Sequence, residues 1–292
     1  MNKIIVLYGP TAIGKSGIAI ELAKIIDAEI ISADSMQIYK DLNIGSAKIS
    51  KNEMQGIKHH LINIKNCNEN YSVFEFVTDC KNAIKRITEK GKNVIIVGGT
   101  GLYIKALTEN YNYGGSSNNA NLRIELNALS TKVLLNKALK LNINLKNEDK
   151  NNRHRLIRYI EIKINGEGVK KQEFDDNYMI FGLTLNRDLL YQRINNRVDK
   201  MMEDGLLDET KYLLTKVNED SQSLKAIGYK ELIPYLEQND TLENCVNILK
   251  QKTRNYAKRQ ITFMNQFPNI IKIDVTDTNQ AVLNILDEYK KM

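Results

Sequence analysis

Residues 9–16 read GPTAIGKS, a complete G-x-x-x-x-G-K-[ST] motif. Average residue usage gives a chance match in about 1% of chains of this length. Gly9 and Gly14 let the backbone wrap, with Pro10, Thr11, Ala12 and Ile13 carrying it round. Successive N–H groups then point inward as an anion nest. A helix starting near Lys15 adds its positive dipole end. Lys15 supplies a point charge to a terminal phosphate, and Ser16 offers a hydroxyl to Mg²⁺. The chemistry is binding of a di- or triphosphate. Asp34 is the second candidate. A carboxylate beside such a loop can accept the proton of an incoming nucleophile, or hold Mg²⁺ through water. The plainer alternative is an Asp that caps the segment after it.

These residues need elements to hold them. Residues 3–8 (KIIVLY) form a short β-rich run that stops at Gly9, and residues 16–26 carry apolar groups at helical spacing. Residues 28–33 (AEIISA) read as a second strand that ends at Asp34. Residues 72–90 form an amphipathic helix stopped by Gly91, and 93–97 (NVIIV) a third strand running into GGTG at 98–101 and a helix through Leu107. Strands alternating with helices mean a parallel sheet, with ligands at the carboxyl ends of its strands. The fold class is therefore α/β, a P-loop NTPase-like parallel sheet flanked by helices. The loops after the three strands should converge on one site.

The pattern then changes. Residues 110–120 (NYNYGGSSNNA) read as a linker or mobile loop, and 121–165 hold helical segments without a clear strand. Residues 178–185 and 270–273 return to strand. The expected organisation is an α/β core over 1–112 and 178–292, with a helical insertion domain over 113–177.

Composition narrows the class. The 292 residues are 42% hydrophobic and 26% charged, ordinary for a soluble globular chain. Lys and Arg exceed Asp and Glu by 42 to 35, which gives a modest +7. That charge points to a polyanion only where the cations line up. They do so at Lys250, Arg254 and Lys258, at Arg155 and Arg158, and at Arg193 and Arg197. Three cysteines without a C-x-x-C argue against disulfides or zinc. No apolar run approaches the ~18 residues of a membrane helix. A cytoplasmic protein, free of any membrane, is expected. The third strand ends without Asp or Glu and no N-K-x-D is present, which disfavours motor and switch NTPases.

GPTAIGKS at 9–16, DSMQIYKDLNIGSAK at 34–48 and GGTGLYIKAL at 98–107 resemble the tRNA dimethylallyltransferases. HRLIRYIE at 154–161, KAIGYKEL at 225–232 and KRQITFM at 258–264 follow in the same order, so the likeness spans nearly the whole chain. The resemblance implies a bacterial-type enzyme acting as a monomer on the tRNA anticodon stem-loop. It transfers a dimethylallyl group from dimethylallyl diphosphate to the exocyclic amine of the adenosine 3′ to the anticodon. It implies a catalytic role for Asp34 as base, with Thr100 at the adenosine. It also implies tRNA contacts from Asp34, Ser35, Met36, Gln37 and Thr100, from Arg123, and from His154, Arg155, Leu156, Ile157 and Arg158. Lys225, Gly228, Tyr229, Lys230, Lys258, Arg259 and Gln260 complete that set. Arg193 and Arg197 both resemble an arginine near the diphosphate. SSNNANLR before the insertion arginine, and KNEDKNNR before HRLIR, lack a proline the family carries there.

Alkylating an amine with an allylic diphosphate requires that the leaving diphosphate be neutralised, which Lys15, an arginine and Mg²⁺ can do. The adenine must also leave its stack. Tyr39, Tyr103 and Tyr229 are the candidates to stack on it, although such a residue is more often core or rim, and His59 and His60 read as packed or loop histidines. Two other readings compete. A P-loop small-molecule kinase would use the same loop and Asp34 but gives the C-terminal basic helix no role. An RNA-binding module with a relict loop leaves Asp34 and Thr100 without one.

Overall fold

The computed structural model describes residues 3–109, 120–165, 173–218 and 221–291. Its contacts divide the chain into two units, Met1–Thr108 with Asp175–Met292, and Glu109–Phe174. The sequence puts these joints at 112/113 and 177/178. The expected linker at 110–120 lies outside the described residues, apart from the helical backbone at 120.

The larger unit opens with β1 (Ile4–Tyr8), α1 (Lys15–Ile25), β2 (Ala28–Ser32) and β3 (His59–His60). It continues through α2 (Val73–Thr88), β4 (Asn93–Gly98) and α3 (Gly101–Thr108). The six strands lie in the order β3-β2-β4-β1-β5-β6, where β5 is Tyr178–Thr184 and β6 is Ile271–Asp274. Every pairing is parallel. A central parallel strand covered on both faces must be apolar throughout. β1 meets this: Ile5, Val6, Leu7 and Tyr8 are wholly buried. Ile5 and Leu7 share one core cluster with Leu22 on α1, Phe181 on β5 and Ile285 on the last helix. Each such side chain contributes roughly 1.5–3 kcal/mol by leaving water. The order β2-β4-β1 sets the loops after Ser32, Gly98 and Tyr8 side by side at the carboxyl edge, where such sheets bind ligands.

His59–His60, read from sequence as packed or loop, is a two-residue edge strand beside Ile30 and Ile31. His60 holds buried Glu29 at 2.7 Å, with Lys90 on the same carboxylate. The three cysteines are buried and free.

The smaller unit holds α4 (Ala120–Ala128), α5 (Thr131–Lys140) and α6 (Arg153–Asn165). Its core is Leu122, Leu126, Leu134, Ala138, Leu156, Ile157 and Ile160. Beyond β5, the larger unit adds α7 (Arg187–Glu203), α8 (Leu206–Lys216), α9 (Ile233–Leu236), α10 (Leu242–Met264) and α11 (Thr278–Lys290). No helix among the described residues is long and apolar enough to cross a membrane.

Candidate active site

Two left-handed residues shape the phosphate loop. Ala12 has φ 62° and Gly14 φ 97°, and Gly14 is the residue before the first turn of α1. Lys15 folds back on the loop, donating from Nζ to the carbonyls of Gly9 at 2.9 Å and Pro10 at 2.7 Å. Arg197, from α7, donates to the Thr11 hydroxyl at 3.2 Å. Burial and the adjacent Arg197 push the Lys15 ammonium down to about 7, with Asp34 pulling the other way. Burial lowers the Arg197 guanidinium as well, opposed by Asp34 and Glu53. Two cations so placed repel, and a polyphosphate between them would relieve both.

Asp34 leaves the end of β2. Its Oδ1 accepts the N–H groups of Met36 at 2.9 Å and Gln37 at 3.4 Å, which turns the chain back beneath the carboxylate. So the capping role and the site role are held by one residue: one oxygen takes the turn N–H groups while the carboxylate faces the cavity. Thr100 Oγ1 accepts from Ser35 N at 3.1 Å and donates to Ser35 Oγ at 3.4 Å. The backbones meet as well, with Thr100 N donating to Ala33 O at 3.3 Å. A Cβ at Gly98 would strike that same Ala33 carbonyl, so only glycine permits the approach.

A single cavity of about 930 Å³ is lined by Thr11–Ser16, Asp34–Gln37 and Arg197. The loops after β1 and β2 therefore share one cavity, whereas Thr100, on the third loop, does not line it and reaches it only through its bonds to Ser35. Opposite walls come from Asn43–Ile49 and from Lys225–Gly228 with Lys230. Arg259, Tyr256 and Thr253 of α10 close another side. Gln37 Oε1 accepts from Ser32 Oγ at 3.1 Å, which fixes the amide's orientation.

Several expected residues have other work. Gln260 is buried and joins two loops: its Oε1 accepts from Thr11 N at 2.8 Å, and its Nε2 donates to Gly99 O at 2.9 Å. Arg193 is exposed and does not line the cavity, whereas Arg197, one turn on, does. Tyr229 is fully buried and donates to Glu209 at 2.6 Å; Tyr39 is likewise buried and donates to Gln222. Tyr103 stacks on Phe76 with ring centres 4.3 Å apart. None of these three tyrosines presents a face to a base. Leu156 and Ile157 fill the smaller unit's core, so their side chains hold that unit together. The basic stripe on α10 is partly internal: Lys250 pairs with Asp199 at 2.5 Å, and Arg254 donates to Asn195 at 2.6 Å. Lys258 and Arg259 remain exposed. In the smaller unit His154, Arg155 and Arg158 are exposed; Arg155 pairs with Asp149 and Arg123 with Glu161 at 2.6 Å.

Sequence reasoning missed Tyr256. It lies one turn before Gln260 on the same face of α10, lines the cavity, and has the Thr100 and Gln260 side chains beside it. Burial, then the Asp34 charge, raises its phenol well above the usual range, so it stays a protonated donor. A helical-period reading back from the 258–264 motif would have found it.

Among the described residues there is no group of three or more His, Cys, Asp or Glu that could hold a metal. Ser16 and Asp34 offer a hydroxyl and a carboxylate to the same cavity. Such hard oxygens suit Mg²⁺, which takes one or two carboxylates and completes its shell with phosphate and water.

A family pattern described as IPP transferase matches residues 37–267. The chain is 45% identical over 289 residues to the tRNA dimethylallyltransferase of Streptococcus uberis, covering 98% of this chain and 95% of the relative. It is 43% identical to the enzyme of that name from Lactococcus lactis subsp. cremoris, covering 94% and 92%. Among solved structures, the full-length tRNA isopentenylpyrophosphate transferase of Bacillus halodurans matches with TM-score 0.75 and 38% identity, over 100% of this chain and 99% of that one. A eukaryotic dimethylallyltransferase described as acting on tRNA matches with TM-score 0.78 and 30% identity, over 99% of this chain and 77% of that one.

Proposed function

The chain belongs to the IPP transferase family, that of the tRNA dimethylallyltransferases, and we propose that the cavity between the phosphate loop and Asp34 carries the family's transfer. The diphosphate of dimethylallyl diphosphate sits on the N–H groups of Ala12–Ser16, with Lys15 and Arg197 neutralising it. The exocyclic amine of the adenosine 3′ to the anticodon attacks the allylic carbon. The bond from that carbon to the diphosphate oxygen breaks as the carbon–nitrogen bond forms. The electron pair leaves with diphosphate, and the amine proton passes to Asp34. Thr100 and Tyr256 flank the amine as hydroxyl partners. Ser16 and, through water, Asp34 would hold Mg²⁺, which would supply further positive charge to the departing diphosphate.

The observation that carries this reading is that Asp34 opens on the same cavity as the cradle and Arg197. A kinase would use the same parts, but the family match stands against it. Exposed Lys225, Lys230, Lys258 and Arg259 offer charge to an RNA backbone at the cavity's rim. Met36 and Gln37 meet the anticodon loop. In the insertion, Arg123, His154, Arg155 and Arg158 supply further phosphate contacts.

Purified protein with Mg²⁺ and dimethylallyl diphosphate is expected to make an anticodon stem-loop RNA heavier by one dimethylallyl group in mass spectrometry. Asp34→Asn should keep RNA affinity and lose turnover by about 10²–10⁴. No mass gain, with ATP consumed on a small hydroxyl substrate instead, would overturn the proposal.

A further inference from the structure

The segment 39–48 lines the cavity from Asn43 to Lys48, yet it contains no regular helix and no strand beyond the single bridge of Tyr39 to Lys65. Such a segment keeps a shape only if its backbone groups find fixed partners. Three of its N–H groups converge on one carboxylate. Glu209, on α8, accepts from Ile44 N at 2.9 Å, from Gly45 N at 3.1 Å and from Asn43 N at 3.2 Å. Three successive N–H groups turned to one anion make a backbone nest. The Tyr229 hydroxyl donates to the same carboxylate at 2.6 Å. Its ring packs against Gly45 so closely that a Cβ there would collide with it.

The carbonyl side has its own partner. Lys48 Nζ donates to Tyr39 O at 2.5 Å, Asn63 Oδ1 at 2.6 Å and Asn43 Oδ1 at 3.1 Å, with Lys40 O at 3.3 Å. An ammonium has three donors and no acceptor, so it suits a cage of oxygens. One loop is thus held from two sides, an anion on its N–H groups and a cation on its carbonyls. The loop in turn reaches the site residues, since Gln37 Nε2 donates to Ala47 O at 3.3 Å and Ser46 O at 3.5 Å.

We propose that Glu209 and Lys48 are positioning residues, which fix the 39–48 wall and through it aim Gln37 at the incoming RNA. Neither touches the reacting atoms. The proposal ties together two of the motifs in the sequence, 34–48 and 225–232, through a glutamate that lies in neither. Its kinetic readout rests on the transfer reaction proposed above; its structural readout does not.

The test uses the full chain carrying Glu209→Gln, Lys48→Met or, as the mildest change, Tyr229→Phe. Glu209→Gln keeps size but turns an amide N–H₂ toward backbone donors. Amide hydrogen exchange at Asn43–Gly45 is expected to quicken by about tenfold to a hundredfold in Glu209→Gln, and by less in Tyr229→Phe. KM for the anticodon stem-loop RNA should rise by about tenfold, with kcat at saturating RNA within about threefold. Lys48→Met should quicken exchange at the same amides. Unchanged exchange in Glu209→Gln, or a fall in kcat with KM unmoved, would overturn the assignment. Wild-type protein that transfers nothing while the exchange results hold would sink the reaction and support the wall.

Discussion

Gln260 offers the sharpest test of how this cavity is assembled, because its role reverses what its motif suggests. Its side chain pairs Thr11 N at 2.8 Å with one end and Gly99 O at 2.9 Å with the other, bridging the loop after β1 to the loop after β4. The Tyr8 hydroxyl donates to its backbone carbonyl at 2.9 Å, a bond that survives any substitution. Gln260→Ala deletes both side-chain bonds and leaves a donor and an acceptor unpaired in a nearly closed place. Each orphaned group costs about 1–3 kcal/mol, and water from the adjoining cavity pulls the pair toward the lower half, about 2–4 kcal/mol. For a domain of 150–250 residues this lowers the melting temperature by about 5–15 °C. Gln260→Glu is the stricter variant. It keeps the volume and the acceptor for Thr11 but turns a second oxygen on the Gly99 carbonyl, so it should melt no higher than the alanine variant at neutral pH. Both should also weaken diphosphate binding, since Thr11 anchors the loop. Thermal unfolding of the purified chain, followed by circular dichroism, reads the effect directly. A melting point within about 1 °C of wild type for both variants, the behaviour of an ordinary surface position, would refute the bridge.

Three further outcomes follow from the same geometry. Arg197→Ala should weaken inorganic diphosphate binding by about tenfold to a hundredfold in calorimetry, the loss of a charge-assisted bond, while Arg193→Ala changes it by less than about twofold. The Lys15 ammonium, depressed to about 7 in the free site, regains its charge when an anion arrives. Binding therefore takes up a proton above pH 7, and affinity falls by up to about tenfold per pH unit as pH rises from there. Calorimetry in two buffers of different ionisation enthalpy detects that proton, and Lys15→Met should abolish the uptake. Lys258→Ala with Arg259→Ala should reduce the salt dependence of RNA binding by about one unit each, with diphosphate affinity unmoved.

The core and the cradle were readable because each is written locally. Ile4–Tyr8 is an unbroken apolar run, and the glycine spacing of 9–16 encodes a turn, a nest and a helix start within a few residues. Asp34 and Thr100 were readable because parallel strand order dictates which loop ends are neighbours. The partners of these residues were not, since they come from far along the chain. Choosing Arg197 over Arg193 needs the rotation of α7 against the sheet, which one helical turn of sequence cannot fix. Glu209 lies 164 residues from Gly45, in a helix whose own sequence carries no mark of the contact. The tyrosines stayed open in the sequence because an aromatic ring has two good destinations, a base or, more often, a core. Tyr229 reached the second, since glycine at 45 leaves a slot its ring fills.

The motifs themselves mix two kinds of residue for a geometric reason. A helix turns about 100° per residue, so within two or three positions the chain passes from one face to the other. In the run 258–260, Lys258 and Arg259 are exposed while Gln260 points inward to bind Thr11 and Gly99. In 155–158, Arg155 and Arg158 stand outside and Leu156 and Ile157 fill the core. Each helical run that offers charge to a polyanion must therefore contain the side chains that fix the helix in place. A short motif tied to one function is for this reason half frame, and the frame half can be changed only at the expense of the surface it holds. Truncating Leu156 should thus disturb RNA binding through the fold of the smaller unit, and truncating Arg158 without it. A thermal melt run beside an RNA titration separates the two: Leu156→Ala is expected to lower both, by about 2–5 kcal/mol in stability, and Arg158→Ala the titration alone.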